Sequence, residues 1–214
     1  LFVKKLGVNK RKIFILFVGA EERLFKPSLS KKIADKNFEI LFYGSFISLQ
    51  STQTIIKAAK LCSIYKNIRW VLLGSGPDLD KCKKLAQNFA NIIFEKDIEY
   101  SKLASRINQA DLLLGIFGKS NKAGNVIPNK VFQSLACGKT IITRKSDAYP
   151  KNLLGENNGV IFIEPENPKA LYNAVLKIIK NKTSLQKSHN YARILYETYF
   201  SEKIIIKQLK KILQ

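Results

Sequence analysis

The residue types best suited to binding chemistry in this sequence are concentrated between 117 and 130, in the run FGKSNKAGNVIPNK. Cations, amides and glycines share this run: Lys119, Lys122, Lys130, Asn125, Asn129, Gly118 and Gly124. Fixed positive charge with directional hydrogen-bond donors at the start of a helix suits a diphosphate, and glycines let a ligand approach the backbone. Long loops in compact domains tend to be functional. The alternative left open is a solvated surface loop in a lysine-rich protein.

Other catalytic chemistries find little support. The single histidine, His189, lies in the polar stretch LQKSHNYAR, which does not favour a Ser-His-Asp or Cys-His pair. Cys62, Cys82 and Cys137 are odd in number, widely spaced and without a histidine cluster. We therefore expect neither structural zinc nor a disulfide framework, and we infer a reducing compartment.

Cofactor and metal motifs are also not indicated. The sequence has no P-loop pattern, and Gly74-Ser75-Gly76 lacks the third glycine of a dinucleotide fingerprint. No carboxylates are spaced for a metal site or for glycoside hydrolysis. We expect no metal and no obligatory cofactor.

The charge balance points to anionic partners. The 37 Lys and Arg residues against 16 Asp and Glu give a net charge of +21, and hence a strong positive field. Nucleic acid, anionic lipid and phosphorylated small molecules all fit this field. Lysine scattered over every solvated face is the alternative, because no block of like charges is long enough to mark a tail.

The elements that must position these residues alternate between strands and helices. The predicted strands are 38–43, 69–73, 91–94, 111–115, 140–143 and 160–163, and the predicted helices are 52–66, 78–89, 100–109, 129–137, 168–180, 184–196 and 201–213. This alternation predicts an α/β fold, a Rossmann-like doubly wound parallel sheet of about six strands with helices on both faces. The apolar strands fit a sheet buried on both sides.

The start of the chain is distinct from this pattern. Residues 1–36 contain the strand-like run IFILFVGA, several cations and Pro27, and we interpret them as a lead-in segment to a domain spanning 37–214. The longest apolar runs, IFILFV and LLLGIF, are far shorter than the roughly 20 residues of a membrane-spanning helix. The chain begins at Leu1 and contains no methionine, so we expect it to be a fragment or a processed chain.

In an open parallel sheet, ligands bind beyond the carboxyl ends of the strands. The loops at that edge are 44–51, 74–79, 95–100, 117–129 and 144–150. Several carry glycine where the chain leaves the strand, and helix N-termini add partial positive charge, so together they predict an anion site. Glycine that merely serves a turn is the alternative.

The order of motifs resembles a known family. FYGSF, VLLGSGPD, NIIFEKDIEYSKLASRINQADLLLGIFG and IPNKVFQSLACGKTIITRKSDAY are similar to the nucleotide-sugar-binding half of a family 4 (group 1) glycosyltransferase, especially those that make bacterial surface polysaccharides. Such enzymes have the GT-B fold, in which two Rossmann-like domains face each other across a cleft. The resemblance covers about residue 14 to the C-terminus, with the lead-in segment similar to the interdomain linker. It implies that this chain is the C-terminal half and that an N-terminal domain is missing.

The resemblance also implies the roles of individual residues. Gly44 would face the phosphates of a nucleoside diphosphate sugar, Gly74 and Gly76 would lie near the nucleotide, and the 95–99 loop with Ile98 would hold the base. Backbone N–H groups before the PNK helix would contact the sugar and diphosphate: Ala123, Gly124, Asn125, Val126 and Ile127. Transfer would retain the anomeric configuration and need no obligatory metal.

This sequence departs from the family at four positions. The first loop has Ser45 and Gln50 where the family usually carries Arg and Lys, and Asn125 and Gln133 stand where it has two glutamates. An amide can still bond a hydroxyl but carries no charge. We hypothesise that Lys122 and Lys130 replace the missing cations and stabilise the leaving group. A degenerate donor site is the alternative.

We therefore expect a donor domain that binds a UDP- or GDP-sugar for transfer to a lipid- or polysaccharide-linked acceptor, in the cytoplasm at the inner face of the membrane. One alternative is a non-catalytic nucleotide- or partner-binding module. The other is a basic binder of anionic membrane or nucleic acid. The last helix, SEKIIIKQLKKIL, is basic and amphipathic enough for a membrane surface, although packing on its own domain also explains it. We do not expect nucleic acid, because the aromatic residues fall in apolar segments.

Overall fold

The computed structural model describes residues 6–28, 37–150, 153 and 159–214. Within them, six strands form one parallel sheet: β1 Phe38–Tyr43, β2 Ile68–Leu73, β3 Ile92–Glu95, β4 Leu112–Leu114, β5 Ile141–Arg144 and β6 Val160–Ile163. Their spatial order is β3-β2-β1-β4-β5-β6, with all adjacent pairs parallel. This confirms the predicted α/β doubly wound sheet.

The central strands are apolar on both sides because helices cover both faces. Alternate residues of β1 enter two separate cores: Ile40 and Phe42 lie in one, and Leu41 and Tyr43 in the other. The side chains of a strand alternate between faces, so a strand between two helical layers must be apolar throughout. The unbroken FEILFY run is the sequence signature of that position.

Helices connect the strands and close the chain. The described residues contain α1 Thr52–Leu61, α2 Leu79–Ala86, α3 Tyr100–Gln109, α4 Asn121–Gly124, α5 Asn129–Ala136, α6 Pro168–Lys180, α7 Lys182–Tyr199 and α8 Glu202–Leu213. Most predicted bounds agree to within a few residues. α1 is shorter than predicted: it ends before Cys62, and Ile64, which extended the helical period, is 72% exposed. Since Ile64 has no core to reach, the chain turns toward β2 instead. None of the described helices is long and apolar enough to cross a bilayer.

The strand-like run in the lead-in segment forms no strand in the structure. Phe17 packs edge-on against Phe200, at 5.2 Å between ring centroids, whereas Phe14, Ile15 and Val18 are 58%, 78% and 76% exposed. A β-prone run needs a partner strand, and no described strand lies beside it. Residues 1–5 and 29–36 of the predicted lead-in lie outside the described residues, so the boundary at 37 stays a prediction.

Candidate functional site

The fold itself creates a crevice between β1 and β4. These neighbouring strands lie where the strand order reverses: β1 continues toward β2 and β3, and β4 toward β5 and β6. The segments that leave their carboxyl ends, 44–51 after β1 and 115–128 after β4, lead to α1 and α5. In open α/β sheets this switch point is where ligands bind.

Three glycines keep the ends of β1 and β2 free of side chains. Gly44, Gly74 and Gly76 have φ values of +137°, +135° and +146°, which L side chains rarely adopt. A Cβ at Gly74 would collide with the backbone of Gly44, and one at Gly76 would lie 2.6 Å from the backbone N of Phe46. These glycines therefore let two loops approach and present bare backbone at the crevice.

Lys130 lies directly beside this bare backbone. Its Nζ donates a 2.7 Å hydrogen bond to Gln50 Oε1, sits 4.1 Å above the ring centroid of Phe42, and would be 3.1 Å from a Cβ at Gly44. The residue is only 6% exposed, and this burial lowers the pKa of its ammonium to about 7. Within the site, Lys130 is a cation without an ionised partner, aimed at the glycine that the resemblance assigns to the phosphates.

Gln133 is joined to Lys130 through a tyrosine. The single O–H of Tyr43 is shared between Gln133 Oε1 at 3.1 Å and the main-chain carbonyl of Lys130 at 3.2 Å. Burial raises the pKa of Tyr43 well above its usual value, so the phenol remains a donor. This bond engages the acceptor oxygen of Gln133 and leaves its NH₂ as the group for a further contact.

The segment 115–128 contains one helical turn, α4, where the sequence predicted only a loop. Ser120 Oγ caps this turn by accepting a 3.2 Å hydrogen bond from the N–H of Ala123. Asn125 Nδ2 donates to the carbonyl of Asn121 at 2.7 Å, so its side chain folds back on the turn. Lys122 is exposed on the same turn. Val126 and Ile127 are half-buried between α4 and α5.

The segments after β1 and β4 are bonded to each other. The N–H groups of Phe117 and Gly118 donate to the carbonyls of Gln50 and Leu49, both at 3.1 Å. A Cβ at Gly118 would collide with the carbonyl of Leu49, which explains the glycine. The structure therefore holds α4 close to the Gly44–Lys130 cluster.

The predicted site residues thus fall into groups. Gly44, Gln50 and Lys130 form one cluster, with Gly74 and Gly76 at its edge and Gln133 connected through Tyr43. Lys122, Ala123, Gly124 and Asn125 share or adjoin α4. Ser45 is exposed at the start of the first loop, and Ile98 is 36% exposed after β3, two strands from β1.

Sequence reasoning missed Tyr43, Arg144 and Ser146. Tyr43 was read as part of an apolar strand, and its partner Gln133 is 90 residues away. Arg144, the last residue of β5, and Ser146, two residues later, donate to the carbonyls of Gly118 and Gly124 at 2.8 and 2.6 Å. The position of these two polar residues after a predicted strand was the available signal, since that is the ligand edge of the sheet.

His189 lies at the opposite end of the strands from the crevice, beside the amino-terminal end of β5. Its Nδ1 accepts a 3.0 Å hydrogen bond from the N–H of Thr140, which precedes β5. Burial is the main cause that lowers the pKa of His189 to about 4. Cys62, Cys82 and Cys137 are buried free thiols, and among the described residues no group of three or more metal-ligating side chains gathers.

Comparison with known families agrees with this geometry. The family model for glycosyl transferases group 1 matches residues 25–195. The chain belongs to that family. It is 24% identical over 221 residues to an uncharacterized glycosyltransferase of Methanocaldococcus jannaschii, covering 100% of this chain and 55% of the relative. This group 1 glycosyl transferase chain therefore spans about half the length of that relative.

Solved structures share the fold. The C-terminal domain of a glycosyl transferase group 1 family protein (LpcC) from Francisella tularensis superposes with a TM-score of 0.71 at 19% identity, covering 86% of this chain and all of that domain. Anabaena HepE in complex with UDP superposes with a TM-score of 0.80 at 15% identity, covering 98% of this chain and 59% of HepE. At such identities the likeness shows the fold, which is that of the C-terminal half of a GT-B glycosyltransferase, as the motifs implied.

Proposed function

We propose that this chain is the donor-binding half of a glycosyltransferase that uses a nucleoside diphosphate sugar. The observation that carries the proposal is the Lys130 ammonium, which lies beside the bare backbone of Gly44 at the switch point of the sheet. A diphosphate there meets a cation and backbone N–H groups in a partly desolvated crevice, where electrostatic attraction is strong. Gly74 and Gly76 leave room for the nucleotide.

The same groups account for catalysis. As the bond between the anomeric carbon and the diphosphate breaks, negative charge grows on the leaving oxygen. Lys130 and, from the exposed face, Lys122 stabilise that charge. The N–H groups of Ala123 and Gly124 are bonded to Ser120 within the turn, so the backbone donors we assign to the donor substrate are those of Val126 and Ile127. The NH₂ of Gln133 is free to bond a ribose hydroxyl, and the loop around Ile98 receives the base.

A uridine nucleotide is the donor we favour over a guanosine one. HepE, whose fold this chain shares, has been solved with UDP and with UDP-glucose. We further propose retention of the anomeric configuration and a lipid- or polysaccharide-linked acceptor, as the family resemblance implies. The acceptor and part of the catalytic apparatus then come from an N-terminal GT-B domain. The free thiols fit a reducing, cytoplasmic setting.

The test is calorimetric titration and thermal shift of the full-length protein with UDP, GDP, ADP and their sugar conjugates. We expect one nucleotide to raise the melting temperature selectively, because it binds only the folded state. Lys130→Met should lower the affinity for that nucleotide by about tenfold or more, because a charge-assisted contact is lost. Incubating the selected sugar nucleotide with candidate acceptors then shows whether transfer occurs and with which anomeric configuration.

Lys60→Met is the matched control for that variant. Lys60 Nζ also bonds a carbonyl group, that of Leu85 at 3.3 Å, and lies 4.7 Å above the Phe89 ring, but away from the crevice. Equal nucleotide affinity in wild type and Lys130→Met would reject the assignment of Lys130. Silence of the wild-type protein toward every nucleotide would reject the proposed function itself.

A non-catalytic binding module is the second candidate. The observation that favours it is that amides stand in place of both family carboxylates. In addition, these amides bond to the protein itself, Asn125 to the carbonyl of Asn121 and Gln133 to Tyr43. Nucleotide binding without transfer to any acceptor by the full-length protein supports this candidate. Transfer that depends on Lys130 rejects it.

We also propose that α8 contacts an anionic membrane surface. None of its residues is fully buried, and Ile206, Leu209 and Leu213 are 43%, 41% and 77% exposed. Lysines flank this apolar stripe on one side: Lys203, Lys207, Lys210 and Lys211. A helix of this kind lies on anionic lipid. Sedimentation with anionic and with neutral vesicles is the test, and equal binding to both, or to neither, rejects the contact. We do not propose nucleic acid as a partner, because Trp70 and Phe132 are buried and do not offer a stacking surface.

A further inference from the structure

Two side chains, one at the end of β5 and one just after it, hold the two ends of one short segment in the candidate site. Arg144 Nη1 donates to the carbonyl of Gly118 at 2.8 Å, and Ser146 Oγ donates to the carbonyl of Gly124 at 2.6 Å. Between these two carbonyls lies α4, which leads directly into the backbone of Val126 and Ile127 that we assign to donor binding. We call residues 118–124 the clamped segment.

Arg144 is itself firmly placed. It is the last residue of β5, its backbone N–H donates to the carbonyl of Ile116 at 2.9 Å, and its Nε donates to the carbonyl of Lys145 at 2.9 Å. Its guanidinium also lies against Gly124, where a Cβ would be 3.4 Å from Nη2. The Arg144 side chain therefore touches both ends of the clamped segment from a rigid strand.

The side chain of Ser146 is also held in a fixed position. It is only 6% exposed, and its Oγ accepts a 3.0 Å hydrogen bond from the N–H of Ala148 while donating to Gly124. A buried hydroxyl with both roles satisfied has a fixed orientation. Removing it leaves the carbonyl of Gly124 without its side-chain donor.

The loop after β6 adds a third attachment. Glu166 adopts a left-handed conformation, with φ of +52°, that brings its backbone N–H to the carbonyl of Phe117 at 2.9 Å. Its Oε1 accepts a 3.3 Å hydrogen bond from the N–H of Lys119. A strained conformation for a residue other than glycine persists when surrounding contacts require it. Loops from β1, β5 and β6 thus converge on one short stretch of backbone.

We propose that Arg144 and Ser146 are positioning residues that fix the clamped segment in the conformation that binds the donor. The proposal rests on the proposed function, because the donor is what the segment receives. Neither residue needs to touch the donor, since both act through main-chain carbonyls. Fixing those carbonyls fixes the two ends of the turn, whose own N–H groups at Ala123 and Gly124 are bonded to Ser120. It thereby fixes where the backbone continues to Val126 and Ile127, whose N–H groups the resemblance assigns to the sugar and diphosphate. Hydrogen-bond donors that are fixed before the sugar nucleotide binds need no reordering on binding. This preorganisation raises both affinity and rate.

The test compares Arg144→Met, Ser146→Ala and the double variant of the full-length protein with wild type. Hydrogen exchange of the amides at 119–125 reports the order of the segment, and initial rates report kcat and KM for the donor. We expect each single variant to exchange faster in this segment and to lose about tenfold in kcat/KM, as expected for loss of one hydrogen bond to a positioned group. Arg144→Lys should recover part of the rate, because one donor to Gly118 is restored.

Arg193→Met is the matched control. Arg193 Nη1 also donates to a main-chain carbonyl, that of Ala136 at 2.6 Å, but at the far end of α5. We expect it to lower the melting temperature about as much as Arg144→Met while leaving exchange at 119–125 and the KM for the donor unchanged. A purely structural role for Arg144 predicts that the two variants behave alike, and that result would overturn the inference.

Failure of this inference differs from failure of the proposed function. If wild type binds no nucleotide but Arg144→Met still speeds hydrogen exchange of the amides at 119–125, Arg144 does fix the segment and the assignment of the segment to donor binding is wrong. If wild type transfers sugar and the Arg144 and Ser146 variants match it in exchange, kcat and KM, the clamp falls and the function stands.

Discussion

Lys130 is the residue on which the candidate site depends most, because its charge is both buried and available. Neither Gln50 nor the Phe42 ring neutralises it, since one is an uncharged amide and the other a π-face. Its low pKa means that the side chain is only partly protonated near pH 7. A diphosphate at Gly44 favours the charged form and raises that pKa again.

Donor binding should therefore take up a proton. The unliganded pKa is about 7, so at pH 8 most free protein is deprotonated at Lys130, while the complex is protonated. We expect uptake of about one proton per nucleotide at pH 8, and an affinity that falls about 25-fold from pH 6.5 to 8.5. Calorimetry of the full-length protein in buffers of different ionisation enthalpy measures this uptake. Lys130→Met should bind more weakly and without the proton, and an identical pH dependence in that variant would contradict the assignment.

The lowered pKa of Lys130 affects folding in the opposite direction: stability rises with pH where nucleotide affinity falls. The folded-state pKa of Lys130 lies below the value of 10.5 in the unfolded chain, so burial of the charged form costs stability below pH 7. That cost disappears as the pH rises from 7 toward 10.5, where both states become neutral. Function and stability thus favour different protonation states of one residue, which is typical of a site that binds an anion.

Gly74 is a glycine that has no space for a side chain, because a Cβ there would collide with the carbonyl oxygen of Gly44. We expect Gly74→Ala to destabilise the fold by at least about 3 kcal/mol, because backbone strain adds to a collision with the Gly44 carbonyl. Gly7→Ala is the control: Gly7 has φ of +71° but nothing within 4 Å of a Cβ. Chemical denaturation of both variants measures the difference. Equal losses would show that strain alone matters at Gly74 and that the two loops are free to separate.

At the scale of elements, α7 is fastened to the sheet by His189. The imidazole must stay neutral to accept the N–H of Thr140, and its pKa is about 4 when folded, below the usual 6.5. The unfolded chain therefore binds the proton first, so stability present above pH 6.5 is lost as the pH falls toward 4.

We expect His189→Asn to weaken this acid sensitivity. Asn supplies an oxygen acceptor that does not titrate, so between pH 6.5 and 4.5 the variant should lose about 1–2 kcal/mol less than wild type. Urea unfolding at both pH values measures the loss. Parallel losses in the two proteins would mean that other groups carry the acid sensitivity.

The alternation of elements was predictable from sequence because local pattern determines it. The central strands are short apolar runs buried on both faces, the edge strands β3 and β6 are partly exposed, and each helix between them has one apolar stripe. The lead-in run at Ile13–Val18 has a strand-like composition but forms no strand, because strand formation depends on a partner, which no local pattern reveals. α4 was missed because a single turn capped by Ser120 has no periodicity to detect.

The candidate site was predictable only in part, for the same reason. Gly44, Gly74 and Lys130 belong to contiguous motifs whose order carries the resemblance. The Tyr43–Gln133 bond and the ties from Arg144 and Ser146 join residues at least 22 positions apart in sequence. The order of the strands in the sheet determines which loops meet. Only after that does residue type determine which contacts form.

At the scale of the whole molecule, the net charge of +21 acts at two places in different ways. Lys130 lies inside the crevice, so dissolved salt screens it little. The lysines of α8 are exposed, and their attraction to an anionic surface falls within a Debye length. The two proposed anion contacts should therefore respond differently to salt.

We expect sodium chloride to separate the two contacts. Between about 50 and 500 mM, nucleotide affinity should fall by about twofold, whereas binding to anionic vesicles should fall by at least about tenfold. The variant Lys207→Gln/Lys210→Gln/Lys211→Gln should lose vesicle binding and keep nucleotide affinity. Removal of the same charge from exposed positions of α2, by Lys81→Gln/Lys83→Gln/Lys84→Gln, is the control. If both triple variants weaken vesicle binding equally, the positive field of the whole molecule holds the protein to lipid, and α8 has no special part in the contact.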